Sequence, residues 1–241
     1  MHIFKLILYR EFLSAMKKIR ILMLLFIAVL GVCAARSMIL SVSGTVDKKD
    51  EKYVIIDAGH GGADSGKVGV NGSLEKKLNL EITRKLEELL KAEGFKTALT
   101  RTDDVGLYEE ESTSKKAEDL KNRCTYINEE KPDLVVSIHQ NSYTDPSAHG
   151  AQVFYFAHSQ EGEKIAQIFQ ECLCEADPSN TRVAKANDTY YLLKRTEVPT
   201  IIAECGFLSN PEEAEKLADE DYQDLIAQAL CKAVKQCLAV E

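Results

Sequence analysis

The chain has 241 residues, of which 45% are hydrophobic and 28% charged, and its formal net charge is −8. This length suits one domain of moderate size plus an appendage, and the composition is that of a globular protein. The charge is divided unevenly, because residues 1–36 carry a net charge of +5 and the remainder therefore carries −13. An acidic domain excludes nucleic acid as a partner, since phosphates favour Lys and Arg.

The basic N-terminus precedes a hydrophobic run. Residues 21–34 (ILMLLFIAVLGVCA) form 14 uninterrupted apolar residues, the length of a signal-peptide core. Continuing to residue 43 gives about 23 residues, which is long enough to cross a membrane. The positive-inside rule places residues 1–20 in the cytoplasm and everything after residue 43 outside. We expect an extracytoplasmic protein, either anchored through residues 21–43 or secreted after cleavage of a signal.

After a polar linker at residues 44–52, strands and helices alternate through a predicted domain at residues 53–241. The predicted strands are 53–57, 95–101, 134–139, 152–157, 190–194 and 200–205. The predicted helices are 79–93, 114–130, 160–176, 211–217 and 222–238. This alternation predicts a single α/β domain with a mostly parallel twisted sheet and helices on both faces.

Seven cysteines are an odd number for an exported protein. Cys231 and Cys237 are six residues apart on one predicted helix, so they point from different faces and cannot pair locally. The sequence contains no CxxC motif. We interpret the cysteines as small buried side chains with free thiols, which favours a reducing setting.

Two histidines lie at the carboxyl ends of apolar, strand-like runs. His60 lies in DAGHGG (57–62) and His139 lies in SIHQN (137–141). The carboxyl ends of parallel strands meet at one edge of a sheet, where ligands bind. The glycine-rich segment lacks the Lys-Ser/Thr of a phosphate-binding loop, so its glycines are better explained as leaving the imidazole open to a ligand.

Two glutamates extend this group. Glu75 precedes a predicted helix, where a solvated first-turn glutamate is the ordinary interpretation. Together with two histidines it would complete a His2Glu set, which is one of the known zinc sites of hydrolases. Glu204 ends the apolar run at 200–203, where a carboxylate is unfavourable unless it faces a cleft or a partner. A base beside an activated water is a sufficient reason for it, so the set predicts a zinc hydrolase.

Four motifs occur in the order DAGHGG, the Glu75 region, SIHQN and IIAECGFLSN (201–210), and they resemble the zinc-dependent N-acetylmuramoyl-L-alanine amidases of the family-3 type over residues 53–238. The resemblance implies that His60, Glu75 and His139 bind Zn2+ and that Glu204 is the catalytic glutamate. It also implies hydrolysis of the amide between N-acetylmuramic acid and the L-Ala of the peptidoglycan stem peptide. The short length, the hydrophobic run and the segments at 116–123 and 179–182 are similar to sporulation or germination amidases.

Asp64, Arg123 and Asn141 are candidates for a supporting role around the metal. A metal-bound histidine usually needs an acceptor on its other ring nitrogen, which Asp64 is placed to supply. Arg123 could equally be a solvated charge on a helix surface. Cys205 puts a thiol next to Glu204, where a soft donor could compete for the metal.

Two other functions remain open at this point. A zinc carboxypeptidase acting on wall peptides fits less well, because His60 and Glu75 are 15 positions apart rather than in a close His-x-x-Glu pair. A non-catalytic peptidoglycan-binding protein would have no use for Glu204 as a base. The sequence leaves open whether an accessory protein is needed.

Overall fold

The computed structural model describes residues 51–238, together with the isolated positions 16, 17 and 23. Within residues 51–238 there are six strands and six helices. The strands are β1 (Tyr53–Ala58), β2 (Lys96–Leu99), β3 (Leu134–Asn141), β4 (Gln152–Phe156), β5 (Lys185–Asn187) and β6 (Thr200–Phe207). The helices are α1 (Glu75–Ala92), α2 (Lys115–Glu130), α3 (Gln160–Ala176), α4 (Tyr191–Arg195), α5 (Pro211–Ala218) and α6 (Glu220–Leu238).

The strands form one sheet in the order β2-β1-β3-β6-β4-β5. β1 pairs in parallel with β2 and with β3, and β3 pairs in parallel with β6. β4 runs antiparallel to β6, and β5 is parallel to β4. The reversal follows from the connection between β3 and β4, which contains no helix and is too short for a crossover to a parallel strand. The domain is therefore α/β, with a mixed sheet whose first four strands in sheet order are parallel.

Helices cover both faces of the sheet, as predicted. On one face, α1, α3 and α6 pack against alternate strand residues such as Ile56, Val136 and Ile201. On the other face, α2 and α4 pack against residues such as Ile55 and Val135. Strands buried on both faces explain the continuous apolar runs in the sequence.

The strands that follow β1 in the chain lie on opposite sides of it in the sheet, so the strand order changes direction at β1. The chain passes from β1 to β2 on one side and then returns to β3 on the other side of β1. In open α/β sheets the crevice outside the carboxyl ends at such a reversal is where ligands bind. His60 follows β1 and His139 lies near the end of β3, so both histidines reach this crevice.

The prediction of a strand at residues 190–194 is wrong, because this segment forms the short helix α4. A short apolar run cannot be assigned to strand or helix by periodicity alone. Here the side chain of Asn187 accepts the N–H groups of Thr189 and Tyr190, which turns the chain into a helix. The edge strand β5 was not predicted, because its three residues (KAN) have little strand preference.

For the other helices and strands, the predicted boundaries differ from the observed ones by a few residues. α1 begins at Glu75, four residues before the predicted start, without a side-chain hydrogen bond at its N-cap, Leu74. The usual N-cap signal is therefore missing from the sequence at this point. Because α1 starts early, Glu75 is held at a fixed position at the head of a helix.

Apart from positions 16, 17 and 23 and the last two residues of the linker, the predicted cytoplasmic segment 1–20, membrane segment 21–43 and linker 44–52 lie outside the described residues. Among the described residues, no helix combines the length and the apolar character needed to cross a membrane.

Six of the seven cysteines lie in the described range, and all six are free thiols there. Four of them, Cys124, Cys172, Cys205 and Cys231, are buried. The interpretation of the cysteines as small buried side chains is confirmed for these four.

Candidate active site

The loop after β1 turns sharply to present His60. The ladder between β1 and β3 extends one residue further, with the N–H of Gly59 donating to the carbonyl of Ile138 at 3.1 Å. His60 then adopts a φ of 62°, in the left-handed region that residues with a side chain rarely occupy. Strained backbone of this kind persists only where the surroundings hold it in place.

Glu75 lies between the two histidines. Its Oε1 is 3.1 Å from Nε2 of His60 and 3.0 Å from Nδ1 of His139. One ligand atom from each of these three residues lies within 4.8 Å of the other two, the arrangement of a group that could hold a metal ion. The structure therefore brings together the three residues predicted as metal ligands.

Backbone groups fix the carboxylate of Glu75 as well. The N–H of Lys67 donates to Oε2 at 2.7 Å, and the N–H of Gln140 donates to Oε1 at 3.1 Å. Burial raises the pKa of Glu75, but the hydrogen bonds and charges of His139 and His60 outweigh this, so the pKa lies below its ordinary range. Glu75 is only 2% exposed, so the ordinary interpretation as a solvated helix-start glutamate is wrong.

Two glycines leave space for these side chains. A Cβ on Gly59 would lie 2.3 Å from the ring of His139. A Cβ on Gly66 would lie 2.5 Å from Oε2 of Glu75, and Gly66 also has a φ of +65°. Both positions require glycine because the backbone approaches the ligand group closely.

Glu204 lies beside this group on β6. It is the register partner of His139 across the parallel β3–β6 pair, so both side chains are on the same face of the sheet. Glu204 is buried, and its Oε2 has no hydrogen-bond partner among the described residues. Burial raises the pKa of Glu204 to about 7, against the opposing charge of His139. A buried carboxylate with one free oxygen is poised to accept a proton.

The three predicted supporting residues have different roles. Nδ1 of His60 donates to Oδ2 of Asp64 at 2.9 Å, the contact expected for a histidine whose other nitrogen is free to bind a metal. Asn141 lines the same cleft, but its Oδ1 accepts the N–H of Ser142, so the side chain orders the turn after β3.

Arg123 is fully buried rather than a solvated helix charge. Its Nη1 donates to Oδ1 of Asp57 and to the carbonyl of Ala58, both at 2.7 Å. Its Nη2 donates to the carbonyl of His60 at 2.7 Å, and its Nε donates to Oδ2 of Asp119 at 2.7 Å. One guanidinium therefore fixes the end of β1 and the backbone of the first histidine.

Arg101 contributes to the same loop and was not identified from the sequence. Its Nε donates to the carbonyl of Ala58 at 2.9 Å, and its Nη2 donates to the carbonyls of Gly59 and Lys76 at 3.0 and 2.7 Å. Burial lowers the pKa of Arg101 to about 10. Because its contacts in the loop are backbone carbonyls, no pattern of side chains in the sequence could reveal it.

The possible competition of Cys205 for the metal receives no support. Among the described residues, the group that could hold a metal ion consists of His60, Glu75 and His139 and does not include Cys205. Cys205 packs in the core with the helices of the opposite face, because adjacent residues of a strand point to opposite sides of a sheet.

The side chains of His60, Glu75, His139 and Glu204 line a cleft of about 500 Å³ at the carboxyl edge of the sheet. Two imidazoles, a carboxylate that contacts both and a second carboxylate with one unpartnered oxygen are the components of a metal-dependent hydrolase site.

Comparisons with known proteins identify the kind of hydrolase. Residues 54–236 match the family described as N-acetylmuramoyl-L-alanine amidase. The chain is 37% identical over 186 residues to the germination-specific N-acetylmuramoyl-L-alanine amidase of Bacillus subtilis, covering 76% of this chain and 78% of that protein.

Solved structures that are similar to this chain are also amidases. The CwlD amidase from Clostridioides difficile, determined in complex with the GerS lipoprotein, is 41% identical with a TM-score of 0.76 and covers 79% of this chain and 100% of that one. The catalytic domain of the CwlV amidase from Bacillus (Paenibacillus) polymyxa is 31% identical with a TM-score of 0.70, covering 79% and 99%. The chain belongs to the N-acetylmuramoyl-L-alanine amidase family.

The buried Asp57–Arg123 pair predicts a pH-dependent component of stability. Burial raises the pKa of Asp57, but Arg123 and hydrogen bonds from Ser137 and Thr100 outweigh it and lower the pKa to about 2. This is below the ordinary value of ~3.9, so ionised Asp57 stabilises the fold above about pH 4, and the contribution is lost as the pH falls towards 2. Wild type should be more stable than Asp57→Asn. We expect this difference in the free energy of unfolding to fall by roughly 2–3 kcal/mol as the pH is lowered from about 5 to 2.

Urea denaturation across this pH range measures the difference. At neutral pH, Asp57→Asn should itself be destabilised by roughly 3–5 kcal/mol, because it leaves the charge of Arg123 buried without its partner. Glu171→Gln, on the exposed side of α3, is the matched control and should show neither effect. A difference between wild type and Asp57→Asn that does not vary with pH would contradict the prediction.

The close approach at Gly59 gives a second prediction. Gly59→Ala should displace the ring of His139 and weaken metal affinity by at least tenfold, while the domain remains folded. Zinc titration of metal-free protein, followed by circular dichroism, measures both. Gly94→Ala is the control, because a Cβ there meets nothing within 4 Å, and its φ of +84° means that the added methyl group should lower stability without changing zinc affinity. Equal zinc affinity in the two variants would refute the steric role of Gly59.

Proposed function

We propose that this chain hydrolyses the amide between N-acetylmuramic acid and L-Ala in peptidoglycan, with Zn2+ held by His60, Glu75 and His139 and with Glu204 transferring the proton. The observation that carries the proposal is the group of three donors beside a buried carboxylate with one free oxygen. Membership of the amidase family supports the reaction class.

The donor set fits zinc. Two imidazoles and a carboxylate are a known ligand set of catalytic zinc, which leaves a further position for water or substrate. Ligand atoms about 2.0–2.1 Å from a tetrahedral ion lie on the order of 3.3 Å from one another. The two observed separations of 3.0 and 3.1 Å from Oε1 of Glu75 are close to this spacing. The hydrogen bond from His60 to Asp64 supplies the support that such a histidine needs.

The protein side chains then perform the proton transfers. Zinc in such a site supplies Lewis acidity towards water and towards the scissile carbonyl. The carboxylate of Glu204 accepts a proton from the attacking water as the water oxygen bonds to the carbonyl carbon. The carbon–nitrogen bond then breaks, and the same proton passes from Glu204 to the departing amine of L-Ala. A carboxylate that accepts the proton of the water and then returns it to the leaving amine serves both steps.

Variants of the full chain test these roles on purified peptidoglycan. Glu204→Gln should keep its zinc and lose at least 100-fold in kcat, because the proton acceptor is gone. His139→Ala should lose both zinc and activity. His149→Ala, which changes an exposed histidine outside the group, is the control and should retain both.

Counting the new amino termini identifies the bond that is cut. New L-Ala termini identify an amidase, whereas released D-Ala would identify a carboxypeptidase. Binding of peptidoglycan without new termini would identify a binding protein. Loss of zinc in Glu204→Gln would contradict the assignment of Glu204 as a base rather than a ligand.

A biological setting is proposed from the relatives. One relative is named as germination-specific, so we propose that this amidase acts in spore germination. The related CwlD amidase was determined with a lipoprotein, so we propose that an accessory protein of this kind can bind this chain. A cell-wall amidase acts outside the cytoplasm, and the hydrophobic run at residues 21–43 is proposed to anchor it there.

Fractionation tests the anchor. The full chain, expressed with a C-terminal tag, should remain with the membranes at high salt and be released by detergent. A chain that starts at residue 44, exported by a cleavable signal, should be soluble, because the apolar run is missing. Release of the full chain as a shorter soluble product would instead identify a cleaved signal.

A further inference from the structure

Tyr190 lines the cleft that holds His60, Glu75, His139 and Glu204, and neither the family motifs nor the mechanism above assigns it a role. It lies between the edge strand β5 and the helix α4, in the segment whose secondary structure was predicted wrongly. Its hydroxyl is 3.4 Å from Oε1 of Glu204.

The two oxygens of Glu204 therefore have different surroundings. Oε1 faces the phenol of Tyr190, whereas Oε2 is buried and has no partner in the described part of the chain. An ionised carboxylate only accepts hydrogen bonds, so the phenol must be the donor. A separation of 3.4 Å is long for such a bond, but hydrogen bonds at active sites are often long without substrate and shorten in the complex.

The ring of Tyr190 is held from several sides. It packs edge-to-face on Phe154, with ring centroids 5.4 Å apart and planes at 68°. Its backbone N–H donates to Oδ1 of Asn187 at 2.7 Å. The next residues, Leu192 and Leu193, are buried in two different core clusters, which anchors the helix that follows.

The same packing connects Tyr190 to the strand of Glu204. Phe154 on β4 is the cross-strand partner of Ile202 on β6, and these two residues form one apolar cluster with Leu193. Ile202 and Glu204 are two residues apart, so they point to the same face of the sheet. The phenol and the carboxylate are thus fixed relative to each other by one packed unit.

We propose that Tyr190 is a positioning residue that holds Oε1 of Glu204 by a hydrogen bond and thereby fixes the orientation of the carboxylate that exchanges the proton. This inference rests on the proposed role of Glu204. In the reaction, the O–H bond of water breaks as an O–H bond forms on the Glu204 carboxylate, and that proton then passes to the leaving nitrogen. Tyr190 keeps its own proton throughout. Burial and the neighbouring Glu204 raise the pKa of Tyr190, which keeps the phenol protonated as a donor.

Tyr190→Phe in the zinc-loaded full chain tests the proposal. The variant keeps the ring and its packing on Phe154 but lacks the hydroxyl. We expect kcat to fall about tenfold, with KM within twofold of wild type and unchanged zinc content, because only the orientation of the carboxylate is lost. Tyr155→Phe is the matched control, since it removes a hydroxyl from β4 outside the cleft and should leave kcat unchanged.

A double-mutant cycle shows whether Tyr190 acts through Glu204. Glu204→Asp withdraws the carboxylate from the phenol but keeps a base, and its residual activity is measured with excess enzyme over long times. In that background, Tyr190→Phe should change kcat by less than twofold. The same tenfold loss in both backgrounds would overturn the proposal, because Tyr190 would then act independently of Glu204.

Other results for the Tyr190 and Glu204 variants would each have a different meaning. A rise in KM with unchanged kcat would make Tyr190 a substrate-binding residue, and loss of zinc would make it a structural one. Either result overturns the proposal. Wild-type kinetics for Tyr190→Phe together with an inactive Glu204→Gln would overturn it while leaving the role of Glu204 intact. An active Glu204→Gln would instead remove the proposed role of Glu204 itself.

Discussion

The buried contact between Arg123 and Asp57 is the constraint on which the rest of the site depends. Asp57 lies next to the last residue of β1, and its carboxylate also accepts hydrogen bonds from Thr100, which follows β2, and from Ser137 of β3. Arg123 adds α2 to this junction and binds the carbonyls of Ala58 and His60. The segment after β2, the strand β3 and the helix α2 are thereby joined to the end of β1, just before the loop that carries His60. Because a buried charge without its partner is strongly unfavourable, neither residue can move without the other.

Most of the fold and the four central residues of the site were predictable from the sequence. His60 follows β1, and His139 and Glu204 lie in the C-terminal halves of β3 and β6, where parallel strands bring their carboxyl ends to one edge. Glu75 was predictable only as a partner of the histidines, because its local sequence is also that of a solvated helix start. Its burial depends on the early start of α1, for which the sequence has no N-cap signal.

Two further residues could not have been found from the sequence, for different physical reasons. Arg101 binds the backbone of the loop, and backbone carbonyls have no side-chain signature. Tyr190 lies in a segment whose helical turn depends on the side chain of Asn187 and on leucines packed in separate clusters. Tertiary packing decided the structure there, whereas the apolar run alone is compatible with a strand.

The strained backbone of His60 explains why two arginines support one loop. A left-handed φ in a residue with a side chain is unfavourable by roughly 1–3 kcal/mol, and the conformation persists only if neighbouring contacts outweigh it. The carbonyls of residues 58, 59 and 60 are all bound by Arg101 or Arg123. A guanidinium donates several hydrogen bonds from one rigid plane, which a lysine cannot do. The orientation of His60 towards Glu75 is therefore set by groups that never enter the cleft as reactants, and substitution of either arginine would act on the site through the backbone.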